Sequence, residues 1–347
     1  MQVRRLNDLI LGWLRAKLAR GTYGGVHRRG SIDHVIILDG TMSTLRPGHE
    51  SNAGMTFKLL REAHYASVYY EAGGQWRGWR DLRDIVTGRG INRKIKRAYG
   101  YLASRYRPGD RIFLLGYSRG AYAVRSLAGM IDRVGLLRAE HATERNIRQI
   151  YRHYRQPQPG PAAGAFSLAY CHAGVEIEML GVWDTVKALG LRLPLLWQLT
   201  EGEHAFHNHD LGPVVKRGYQ ALAMDETREA FAPVLWTVPP EHRGVVEQVW
   251  FRGSHGDVGG QLGGVLASRP LANIPLVWML DRLEACDVSL PEGWQARFPR
   301  DPEAPACGTW TGAGKLFLLR RQREIGLDRS ERLHETARSA PDGAEVI

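Results

Sequence analysis

Residues 111–120 read RIFLLGYSRG and run straight into AYAVRSLAGMI. This stretch constrains the fold more than any other. The apolar run Ile112–Leu115 predicts a buried strand. Gly116-Tyr117-Ser118-Arg119-Gly120 is a GxSxG pentapeptide, and the residues after it predict a helix. Strand, tight turn and helix in that order are what a nucleophile elbow requires. Ser118 would stand at a strained position, and Gly116 and Gly120, lacking Cβ atoms, would leave room for the turn. An ordinary serine capping the helix N-terminus would leave the same letters.

The rest of the chain offers the partners that such a serine needs. A hydroxyl is a poor nucleophile until a base takes its proton, and a carboxylate must hold that base in the right tautomer. Of the 13 histidines, His255 in VWFRGSHGDVGG is the best placed, after an apolar strand and before a glycine-rich loop. His172 also follows an apolar run, but it precedes the best acid and would reverse the chain order Ser, Asp, His. That acid is Asp184 in LGVWDTV, with Asp210, Asp225 and Asp257 as rivals. Asp225 lies in ALAMDETREAF, which reads as helix. Asp257, two residues past the histidine, suits loop shaping or support of the site from behind. Oxyanion donors are expected from the backbone of Arg119 and from the Asp39-Gly40-Thr41-Met42 loop, with Gly40 and Thr41 as the N–H donors and Asp39 as support.

The order of elements predicts an α/β architecture. Strands are expected at 34–39, 66–70, 112–115, 176–183 and 245–252, the last clear strand. Helices are expected at about 52–64, 91–106 and 213–224. Short turns between them imply a mainly parallel sheet with helices on both faces. Residues 156–165 (QPQPGPAAGA) read as an exposed loop, and 190–212 as an irregular stretch that could form a lid. The expected organisation is a basic amphipathic helix within 1–30, an α/β domain over 31–286, and a peripheral segment over 287–347 with a frayed tail.

Five ordered blocks carry a family resemblance: IILDGT (36–41), FLLGYSRGAYAVRSLAGMI (113–131), LGVWDTV (180–186), ALAMDETREAFAPVLW (221–236) and VWFRGSHGDVGG (249–260). With a closing SERLHETA (330–337), the chain resembles the α/β-hydrolase family that includes the type VI secretion phospholipase effectors. The resemblance implies an α/β-hydrolase-like fold and a serine hydrolase acting on lipid esters. Its triad would be Ser118, Asp184 and His255, with His334 a docking residue. The tryptophan that often follows the DGT element is Met42 here.

Composition narrows the partners. The net charge of +11 draws a protein toward anionic surfaces. Residues 89–97 (RGINRKIKR) and 318–323 (LLRRQR) concentrate positive charge, each read as solvated surface, and no nucleic-acid module surrounds them. Leu6, Leu9, Ile10, Trp13, Leu14 and Leu18 form one helical stripe edged by arginine and lysine, a candidate for peripheral membrane contact through residues 4–20. No apolar run reaches the about 18 residues that span a bilayer, and no cleavable signal is visible. Cys171, Cys286 and Cys307 read as unpaired thiols of a cytoplasmic protein, with export by a route needing no cleaved signal left open. No cofactor is expected. His204, His207, His209 and Asp210 lack a recognised zinc spacing, so no metal is expected either. The competing function is a non-catalytic membrane- or partner-binding protein on the same scaffold. Nothing here sets the oligomeric state.

Overall fold

Ile36 and Leu38 face one layer of helices, while Val35 and Ile37 face another. That two-residue alternation, with both faces buried, makes a strand read as an unbroken apolar run. The computed structural model describes residues 30–74, 89–158, 160–187, 211–239, 242–310 and 317–338. The chain divides into residues 1–31 and a compact unit, Ile32–Ile347, to which the elements below belong.

Seven strands form one parallel sheet: β1 (Asp33–Leu38), β2 (Ala66–Glu71), β3 (Arg111–Tyr117), β4 (Met179–Trp183), β5 (Arg217–Ala223), β6 (Val245–Phe251) and β7 (Glu331–Leu333). Their order is β2-β1-β3-β4-β5-β6-β7, and every neighbouring pair is parallel. The chain goes outward from β1 to β2, then returns past β1 to β3. The order therefore reverses between β1 and β3, and the crevice at the carboxyl ends of those strands is where an open α/β sheet binds ligands.

The helices are α1 (Asn52–Ala63), α2 (Arg89–Ala103), α3 (Arg119–Val134), α4 (Glu144–Tyr154), α5 (Pro161–Tyr170), α6 (His255–Gly259), α7 (Arg269–Glu284) and α8 (Glu335–Arg338). On one face, Tyr99 of α2, Leu127 of α3 and Tyr154 of α4 pack with Ile36, Ile112 and Leu114. On the other, Leu60 of α1 and Met279 and Leu283 of α7 pack with Ile37, Phe113 and Leu115. Gly181 in β4 lets α7 approach: a Cβ there would stand 2.7 Å from Met279 Sδ.

Three elements differ from the sequence reading. The stretch expected as a helix over 213–224 is β5, between β4 and β6. Its RGYQALA has helix-compatible letters, but two flanking strands satisfy its backbone and burial outweighs intrinsic propensity. The expected loop 156–165 gives way to α5 at Pro161, which stands at a first helical position where a missing N–H costs nothing. Residues past 286, expected as peripheral, send β7 to pair with β6. Three residues are too few to show a strand period. The expected helix at 4–20, most of the expected lid, and His204, His207, His209 and Asp210 lie outside the described residues.

Candidate active site

The end of β3 turns sharply into α3 at Ser118, whose φ of 57° and ψ of −124° are unusual for a side chain with a Cβ. Such a backbone costs about 1–3 kcal/mol and persists only where the surroundings hold it. Here Ser118 N–H donates to Trp183 O at 3.0 Å, tying the turn to β4. The two glycines are required by space. A Cβ on Gly120 would lie 2.0 Å from Leu38 O, and one on Gly116 would lie 2.7 Å from Gly120 O.

His255 opens α6, four residues past the end of β6. Its Nε2 lies 2.9 Å from Ser118 Oγ, and its Nδ1 lies 2.5 Å from Asp184 Oδ2. The carboxylate can only accept from Nδ1–H, so Nε2 is left as the acceptor for the serine hydroxyl. All three side chains are buried. His255 is fixed on several sides. Its N–H donates to Glu226 Oε2 at 3.1 Å, its carbonyl accepts from Tyr117 Oη at 3.2 Å, and the rings of Tyr117 and Phe231 each lie 4.9 Å from the imidazole. Glu226 is itself bidentate to Arg228. Burial would raise the Glu226 pKa, but the Arg228 bonds and charge bring it below the ordinary range.

Asp184 follows β4 directly, with a φ of 40°. Its N–H donates to Ala221 O at 2.8 Å, and its Oδ1 accepts from Ala223 N–H at 3.0 Å, so β5 anchors it. The remaining partner comes from far along the chain. Arg323 Nη1 donates to Oδ1 at 2.6 Å, and Nη2 donates to Oδ2 at 2.9 Å. A carboxylate offers about four lone-pair sites; His255, Ala223 and the two Arg323 donors occupy that number. Burial pushes the Asp184 pKa up, but the Arg323 charge and the bonds from His255 and Arg323 hold it well below the usual carboxylate range.

The loop after β1 meets the other side of Ser118. Asp39 is buried and accepts from Ser51 Oγ at 2.6 Å, Tyr70 Oη at 2.7 Å and Gly40 N–H at 2.7 Å. Burial still raises its pKa against these donors. Gly40, expected as an oxyanion donor, here donates its N–H to Asp39. Gly40 also supplies room, since a Cβ there would meet the Tyr117 ring at 2.6 Å and Ser118 Cβ at 3.4 Å. Thr41 is next in this loop, its carbonyl accepting from Gln261 Nε2 at 3.0 Å. Arg119 opens α3, and burial lowers its guanidinium pKa to about 10.

The rival residues go elsewhere. Asp257 accepts from Ser254 N–H and Oγ, both at 2.8 Å, and from Cys307 N–H at 2.9 Å, so it shapes the start of α6. Asp225 accepts from Gly253 N–H at 2.6 Å, at a glycine whose φ is 107°. The His172 ring packs edge-on to Tyr106, 5.1 Å between centroids. His334 stacks on Phe251 at 4.6 Å, beside β6. Among the described residues, no three His, Cys, Asp or Glu side chains gather as a metal site.

Sequence reasoning missed Arg323, Glu226 and Arg228. Arg323 sits in the LLRRQR run taken for solvated surface, yet its side chain is 4% exposed. It bonds two backbone carbonyls, Ala223 O at 2.7 Å and Phe231 O at 2.6 Å, besides the carboxylate. No spacing rule could have linked it to Asp184, 139 residues away.

Residues 33–282 match the family described as T6SS, Phospholipase effector Tle1-like, catalytic domain. An uncharacterized protein of Saccharomyces cerevisiae is 25% identical over 242 residues, which is 62% of this chain and 34% of that protein. Among solved structures, the Tle1 effector bound to the VgrG spike of the type 6 secretion system is 21% identical, with a TM-score of 0.38, covering 69% of this chain and 53% of its own. An uncharacterized protein from Pseudomonas aeruginosa is 16% identical, with a TM-score of 0.43, covering 87% and 53% respectively. The chain thus spans about a third of the yeast relative and about half of each solved chain.

Proposed function

Since the chain belongs to the Tle1-like phospholipase effector family, as its catalytic domain, we propose that it is a serine hydrolase that cleaves carboxylic esters of phospholipids or related lipids. The observation that carries this reading is the unbroken bonded chain Ser118 Oγ to His255 Nε2, His255 Nδ1 to Asp184. Ser118 Oγ attacks the ester carbonyl carbon as its proton passes to Nε2. The imidazolium formed is stabilised by Asp184. The tetrahedral oxyanion collapses, expelling the alcohol, which takes the proton from Nε2 and leaves an acyl-Ser118. Water, deprotonated by the same nitrogen, releases the fatty acid.

The oxyanion needs donors aimed at it in advance. The positions beside Ser118 that suit this task are the backbones of Arg119 and Thr41, the former one residue along the chain and the latter next to Gly40.

The test uses a fluorophosphonate probe and a panel of defined phospholipids with products identified by mass. The expected result is a label on the wild type that Ser118→Ala abolishes, together with release of fatty acid. Labelling and fatty-acid release that persist in Ser118→Ala would assign the chemistry to another nucleophile, and no label and no product in the wild type would leave a binding protein on a hydrolase scaffold as the better reading.

A further inference from the structure

The segment 317–338 lies beyond the residues matched by the family, 33–282, yet it supplies the guanidinium that grips Asp184. We propose that Arg323 is a positioning residue for the triad: its planar fork fixes both oxygens of Asp184, and with them the direction in which Asp184 meets His255 Nδ1. The inference rests on the hydrolase reading above.

The geometry argues for this in two steps. First, Asp184 has one donor on each oxygen from Ala223 and His255, and the bidentate Arg323 adds a second to each, which fixes the last side-chain torsion from both sides. Second, Arg323 is itself immobilised by Ala223 O and Phe231 O, so it holds Asp184 against β5 and not against a mobile surface. Phe231 is also the residue whose ring lies against His255.

The charged and titratable groups around His255, among the described residues, come from each packed element. Tyr117 reaches it from β3, Asp184 from β4, and Glu226 with its partner Arg228 from the loop after β5. Asp257 lies on its own helix with Cys307 bonded to it, and Asp225 bonds the preceding Gly253. Glu226 and Arg228 form a pair of opposite charges, which leaves the Asp184–Arg323 pair as the one whose balance bears directly on Nδ1.

Three full-length proteins test the proposal: wild type, Arg323→Gln and Arg323→Lys. Each is followed by kcat and KM on a soluble ester, by denaturant unfolding, and by the downfield proton NMR resonance of His255 Nδ1–H at one fixed pH. Both variants lose the fork, so kcat should fall by roughly tenfold or more while KM stays within about twofold, and the resonance should leave its wild-type position. A wild-type kcat and an unmoved resonance in a folded variant overturn the proposal, as does a rise in KM with kcat unchanged. If Arg323→Gln does not fold, Arg323→Lys carries the test by the same outcomes. The parent reading fails differently, by the wild type taking no Ser118-dependent label; the resonance still reads the Asp184–His255 geometry in that case.

Discussion

At the scale of single residues, the site is a run of buried groups, each completed by the next. Ser118 relies on His255, His255 on Asp184, and Asp184 on Arg323. Such a run makes substitutions at its inner end cost stability as well as rate. Asp184→Asn should slow any Ser118-dependent hydrolysis by about ten-thousand-fold, since an amide sets the wrong histidine tautomer. It should also destabilise the protein by about 3–5 kcal/mol, because the Arg323 charge is left buried without its counter-ion. Denaturant unfolding alongside kinetics checks both. Ser118→Ala, which strands no charge, should lose activity with its unfolding midpoint almost unchanged. The pH dependence follows in sign. Asp184 has a folded pKa below its unfolded one, so its contribution is fully present above the unfolded value of about 3.9 and is lost as pH falls toward the folded value. The advantage of wild type over Arg323→Gln, in which Asp184 loses its main cationic partner, should therefore be largest above about pH 4 and shrink as pH falls below it. Circular dichroism across that range would show it, and coincident curves would remove Arg323 as the cause.

At the scale of elements, the short helix α6 is too small to hold His255 by itself. Its carboxyl end is tied down by Asn52 at the start of α1, whose Nδ2 donates to Val258 O at 2.9 Å and Ala272 O at 3.0 Å. One amide thus joins α1, α6 and α7. Gly260, with φ of 74°, completes the fit, since a Cβ there would stand 2.2 Å from Asn52 Oδ1. Asn52→Ala should cost about 1–3 kcal/mol by leaving buried carbonyls unpaired. It should also lower kcat, because α6 carries His255, the base in the proposed mechanism. A variant with full activity would show that His255 is held from the Glu226 and Asp184 side alone. The strand β5 shows the opposite relation between letters and element. Its Ala and Leu would suit a helix, but the gap between β4 and β6 admits only a strand, and its end then supplies Ala223 N–H to Asp184.

At the scale of the whole molecule, the charge of +11 on 347 residues acts over distances that no single contact reaches. Binding to anionic vesicles is expected, weakening steeply as salt shortens the screening length to about 3 Å near 1 M. Vesicle sedimentation at low and high salt measures it. Removing residues 1–20, which hold five arginines and lysines against Asp8 alone among the acids, should weaken that binding. Unchanged binding would assign the attraction to the rest of the surface. No helix among the described residues is long and apolar enough to cross a membrane.

The sequence alone determined the strands β1, β3 and β4 and put Ser118, Asp184 and His255 at or just past strand ends. Each of those strands is an apolar run buried on both faces, and Ser118 and Asp184 stand at the abrupt ends of such runs, with His255 just past another. Local pattern suffices when a residue's place follows from its own strand. Only the tertiary structure decided that β5 is a strand, that the Gly40 N–H serves Asp39, and that Arg323 completes Asp184. Those depend on which distant segment fills a given space. An arginine amid surface-like letters carries no mark of the buried carboxylate 139 residues away that it neutralises.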